Sequence, residues 1–166
     1  MAAVESYASA QASIVLSAAH SPVLLVTWFG EPTSTVVDVY AEWMTAQARQ
    51  ARDTQTRFII IGDTTRVDGR PSPDMRRLMA QALQDVQDVA GDSLLRIFTV
   101  IDSALLRTVI NMTMYLMRQK LPFSSARSID DALSRALALL DEFGIPRPDG
   151  LDPATYEPPG HPMGGS

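Results

Sequence analysis

The stretch from Arg57 to Asp74 holds the residues best placed to do chemistry. An apolar run, Phe58-Ile59-Ile60-Ile61, gives way through Gly62 to Asp63-Thr64-Thr65-Arg66, and Pro71-Ser72-Pro73-Asp74 follows. A carboxylate, two hydroxyls and a guanidinium in consecutive positions can orient a ligand or contact a partner. The same residues can equally form a turn in which Asp63 and Thr64 bond nearby backbone amides. Ser72 also has two readings, and they are compatible. Immediately before Pro73 it caps a helix, which stabilises by about 1 kcal/mol. A phosphate on it would lie against the helix amides and the positive end of the helix dipole. Arg66, Arg70, Arg76 and Arg77 flank the loop and can hold a phosphate-bearing ligand. Asp63, Asp68 and Asp74 answer those charges, so a solvated surface of mixed sign is the simpler account.

Other chemistries find less support. The 166 residues include no cysteine, which excludes disulfides, thiolate metal sites and cysteine nucleophiles and fits a reducing cytoplasm. The two histidines, His20 and His161, sit at opposite ends of the chain, so neither a metal site nor a cofactor is expected. Serines and aspartates are plentiful, but nothing places them beside His20 as a triad. Gly62 and Gly69 complete neither a G-x-G-x-x-G nor a P-loop pattern. Asp130 and Asp131 open a helix, where their charges favour the dipole. A net charge of −5 argues against nucleic acid as the main partner. No apolar run approaches the ~20 residues that span a bilayer. No basic region precedes an apolar stretch at the amino terminus, so neither a membrane span nor a secretory signal is expected.

The elements that position these residues follow from periodicity. Residues 1–11 are small and polar and read as frayed. Ser13–Leu16 and Val23–Phe29 are short apolar strands joined by the turn His20-Ser21-Pro22, hence an antiparallel hairpin. The period then becomes helical, with Val36, Val39, Tyr40, Trp43, Met44 and Ala46 on one face and Thr33 or Ser34 as cap. The pattern weakens at Gln47. After the strand Phe58–Ile61, a helix from Pro73 presents Met75, Leu78, Met79, Ala82, Val86 and Val89 and ends at Gly91. Leu94–Ile101 is a further strand, and Phe123–Ala126 a short edge strand. A last helix, capped by Ser128, carries Ile129, Ala132, Leu133, Ala136, Leu137, Leu140 and Phe143 on one face, with Gly144 as its stop. Trp28, Trp43 and Phe98 read as core. Six of the eleven prolines and four glycines fall in residues 145–166, which read as a disordered tail unless it docks on the domain. The expectation is one α/β domain over residues 12–144, ordered β-β-α-β-α-β-α-(β)-α, with a mostly parallel sheet and one antiparallel edge.

The helix from Ala104 to Gln119, capped by Asp102 or Ser103, is unusual. At about 100° per residue, Arg107, Asn111, Tyr115 and Arg118 share one narrow strip. Leu106, Val109, Ile110, Met114 and Met117 belong to an apolar arc of roughly 200°, about double that of a one-sided helix. Either another helix covers its second side or the surface awaits a partner, such as a second copy of the chain or an apolar ligand.

The element order, the Asp-bearing turn after the central strand, and the run Pro122-Phe123-Ser124-Ser125-Ala126-Arg127-Ser128-Ile129-Asp130-Asp131-Ala132-Leu133 resemble the STAS superfamily, the anti-sigma-factor antagonists and related transporter domains. The resemblance covers residues 13–143. It implies a layered α/β fold and a small non-enzymatic domain that binds protein partners and sometimes nucleotides. Signalling members carry a phosphorylatable serine in Asp-Ser-Ser-Gly at a helix start; here Ser72 matches in position, but the motif reads Pro71-Ser72-Pro73-Asp74. The expected function is therefore a cytoplasmic, non-catalytic regulatory module that binds a protein partner through Asp63, Thr64, Thr65, Arg66 and Ser72. Self-association as a homodimer through Leu106–Met117 is expected with it. A small-ligand sensor is the alternative, and an enzyme with an unfamiliar site a weaker one.

Overall fold

The computed structural model describes residues 4–104, 107 and 121–162. Within them the chain is an α/β fold with a six-stranded mixed sheet and three helices. The strands are β1 (Val4–Ala8), β2 (Ala12–Ser17), β3 (Val23–Gly30), β4 (Phe58–Val67), β5 (Leu94–Val100) and β6 (Phe123–Ala126). They lie side by side in chain order. β1–β2 and β2–β3 pair antiparallel, and β3 to β6 are parallel. The helices are α1 (Ser34–Asp53), α2 (Pro73–Ala90) and α3 (Ile129–Glu142). No helix among the described residues is long and apolar enough to cross a membrane.

The sheet has a core on each face, as strands buried on both sides require. On one face α1 and α2 pack against each other and over Ile14, Leu24, Val26, Trp28, Phe58, Ile60 and Ile97. On the other, α3 and the chain after it cover Val23, Leu25, Ile59, Ile61, Phe98 and Val100. Trp28, Trp43 and Phe98 are core residues. The helix starts follow the local rules: Thr33, Ser72 and Ser128 cap α1, α2 and α3 by accepting from the amides of Val36, Met75 and Asp131. The stripe of α1 continues past Gln47 through the buried Ala48 and Ala51, small side chains that let the helix end sit close to its neighbours.

Three expectations need correction, and of the two readings given for the tail the structure has the docked one. Residues 4–8 are not frayed: Ser9 and Ala12 close a two-residue turn, the Ser9 amide donating to the Ala12 carbonyl at 2.8 Å, and β1 folds back on β2 with Tyr7 against the first core. Residues 145–162 are docked, with Leu151 buried and Ile145 and Tyr156 packed on the second core. Phe143 does not join the buried face of α3; it is exposed beneath the Arg57 guanidinium, 5.0 Å from its ring centre. Finally, the central strand runs on to Val67, so Asp63–Arg66 belong to β4 and not to a loop. The proposed interface residues Leu106, Val109, Ile110, Met114 and Met117 lie outside the described residues.

Candidate functional site at the carboxyl end of the central strand

The far half of β4 departs from regular pleating. Thr27 of β3 faces Asp63, yet Phe29, two residues on, faces Arg66, three residues on. β4 therefore carries one extra residue, a bulge at Thr64–Thr65. Side chains of a regular strand alternate between faces, so Asp63 and Arg66 would point to opposite sides. The bulge puts both on the face covered by α3 and the carboxyl-terminal segment.

Asp63 is buried, at 4% exposure, beside the buried Thr27. Its carboxylate accepts from the Thr65 amide at 2.9 Å and from the Thr65 hydroxyl at 2.7 Å. Paired acceptance satisfies a polar group that is buried in the sheet. Thr64 donates across the sheet to the Val100 carbonyl at 2.7 Å. Arg66 remains exposed, lies over Phe29 at 5.3 Å from its ring centre, and donates to the Pro159 carbonyl. His161 meets Phe29 edge-on, ring centres 5.1 Å apart, and shares a 3.3 Å hydrogen bond with the buried Ser13 hydroxyl. Tyr156 packs on the second core, its ring edge-on to His20 with centres 6.4 Å apart; burial pushes its phenol pKa upward, the Asp63 charge adds to that shift, and Arg66 opposes it.

The structure thus brings Asp63, Thr64, Thr65 and Arg66 together and gives each an internal partner. Ser72 stands apart from them, an exposed cap whose hydroxyl accepts from the Met75 amide at 3.1 Å. The cap reading accounts for the geometry there. Between Arg66 and Ser72 the chain is exposed at Asp68, Gly69 and Arg70. The Asp68 amide is tied to the Gly30 carbonyl at 3.0 Å. Gly30 has φ of +72°, and a Cβ there would meet the Gln11 carbonyl oxygen at 2.3 Å, so this turn admits glycine alone.

A cavity of about 580 Å³ lies here, lined by Gln11, Phe29, Arg66, Asp68 and His161 among others. A larger one, about 750 Å³, opens at the opposite, amino-terminal ends of β3 and β4, between the end of α1 and residues 143–149. Gln50, Thr54, Thr56, Arg57 and Arg147 line it, and Arg147 is paired with Asp141, which holds the carboxyl below its usual range. Among the described residues, no cluster of three histidine, aspartate or glutamate side chains is close enough to hold a metal ion.

Sequence reasoning missed Thr27, Phe29, Tyr156 and His161 as parts of this region. Thr27 left a trace, as the single polar residue inside the apolar strand Val23–Phe29. Tyr156 and His161 left none, since their place depends on how the proline-rich segment folds back. A scan against protein-family models finds no matching family, and a search of curated proteins finds no match either.

Proposed function

We propose that the chain is a cytoplasmic, non-catalytic regulatory module of STAS-like character that acts through protein contacts and associates with itself. The observation that carries this reading is the state of the polar groups at the end of β4. A polar group already bonded inside the protein must give up that bond to meet a second molecule. Asp63 and Thr64 are instead engaged within the protein, and what continues outward is the exposed segment holding Asp68, Arg70, Ser72 and Asp74. Charged side chains of both signs on a loop held by a rigid sheet suit recognition of a protein surface. The test is quantitative co-purification of tagged full-length chain against an Asp68→Lys/Arg70→Glu variant with unchanged melting temperature. The reading expects one or a few defined proteins to be lost at least tenfold with the variant. An identical set of companions for both chains contradicts it.

A second reading, a small-ligand sensor, draws support from the 750 Å³ cavity, where the Arg57 guanidinium lies on an exposed phenyl ring and meets no carboxylate within ion-pair distance among the described residues. Such a surface suits an anion with an apolar part. A rise in melting temperature with nucleotides that is abolished by Arg57→Ala would favour this reading over the first.

A further inference from the structure

The two edges of the sheet are built differently. The Pro122 carbonyl just before β6 and the Ala126 carbonyl at its end accept from Ile97 of β5 and from Ile101 just beyond it, so the carbonyls of Phe123 and Ser125 point outward. Arg135 of α3 reaches over this edge and donates to the Ser125 carbonyl at 2.8 Å, held by Asp131 at 3.7 Å and lying on Phe98. A cation strapped over outward carbonyls blocks further pairing. β1 has no such cover among the described residues. Ser9 and Ala12 form a hydrogen-bonded pair, and the alternation of an antiparallel ladder then turns Tyr7 and Glu5 toward β2. The amides and carbonyls of Val4, Ser6 and Ala8 point away from the sheet. No lysine, proline or bulge protects them, and Val4 is 53% exposed.

From this edge we infer that two copies of the chain associate through β1, antiparallel about a two-fold axis at Ser6, joining two sheets into one of twelve strands. The register is self-complementary. Val4 faces Ala8 of the second copy and Ser6 faces its own counterpart, and every one of these residues offers outward an amide and a carbonyl. Glu5 then lies opposite Tyr7 of the second copy, in the closer, non-hydrogen-bonded positions, where carboxylate and phenol can meet. No like charges face each other, although each chain carries −5. A parallel pairing in register would set Glu5 beside Glu5 and lose both features. The inference rests on the self-association in the proposed function and gives it a defined surface.

Cysteine chemistry tests it directly, because the chain has no cysteine. Facing hydrogen-bonded residues have Cα atoms about 5.5 Å apart, within the range a disulfide spans. Full-length Ser6→Cys should form a covalent dimer under mild oxidation at least tenfold faster than Gln81→Cys on the exposed face of α2. Sedimentation equilibrium supplies the second arm. Ser6→Pro removes an outward amide that β2 does not use, so it keeps the monomer fold and should weaken dimerisation at least tenfold. A dimer that survives Ser6→Pro and does not cross-link at position 6 overturns the edge pairing and leaves self-association standing. A wild-type chain that stays monomeric at every concentration overturns both.

Discussion

The two halves of β4 follow different physics. From Phe58 to Ile61 the strand is apolar, and its side chains alternate between two cores with almost no exposure. From Gly62 to Val67 it is polar and bulged, with one buried carboxylate and an exposed guanidinium on the same face. The near half is held by its ladders to β3 and β5 and by the burial of its side chains on both faces. The far half is held by specific hydrogen bonds and by the docked carboxyl-terminal segment. A strand can therefore leave its core without ending, provided that a bulge re-aims its side chains.

The sharpest way to break this contrast is at its apolar end. Ile60→Ala should destabilise by about 2–5 kcal/mol, measured by denaturant unfolding, because the site is enclosed and cannot collapse. At the polar end, Thr65→Val removes a donor to the buried Asp63 carboxylate and should cost about 1–3 kcal/mol. The same change made on an Asp63→Ala background should cost little, since the acceptor is gone; equal costs on both backgrounds would show that the pair is not coupled. Ser72→Ala should cost about 1 kcal/mol through the lost cap and leave the far half of β4 untouched.

The smallest effect concerns pH. The folded state holds the Tyr156 phenol above its ordinary value of 10.0. The unfolded chain therefore releases that proton first, so the contribution to stability is complete below about pH 10 and declines as pH rises through the folded value. Tyr40, wholly buried in the first core, shifts in the same direction. Thermal melts should fall off steeply above pH 10, and Tyr156→Phe should flatten part of the decline. An unchanged profile in Tyr156→Phe would show that this phenol does not contribute to the decline.

What the residues disclosed in advance follows the same division. The run Phe58–Ile61 announced a buried strand through its branched side chains, and the caps Ser72 and Ser128 announced helix starts through neighbouring proline and acidic residues. The bulge at Thr64–Thr65 left no mark, because one extra residue in a ladder shows only against its partner strand. β1 was missed because Val4-Glu5-Ser6-Tyr7-Ala8 offers a single large apolar side chain to the core, Tyr7, too little to outweigh its polar composition. The docking of residues 145–162 depends on isolated anchors, Leu151 and Tyr156, set among prolines that composition assigns to disorder. Pattern reading reports what is repeated along the chain, and both features that shape the far half of β4 are single events.

The central claim is that the exposed continuation of β4 recognises a protein. Site-specific photo-cross-linking of the full-length chain in its native cells tests it most directly, with the reactive group at Arg70 and, as control, at Gln81 on the exposed face of α2. The account predicts a covalent adduct with one defined protein at position 70 and none at 81. The absence of any adduct at position 70, or the same adducts at both positions, would contradict it.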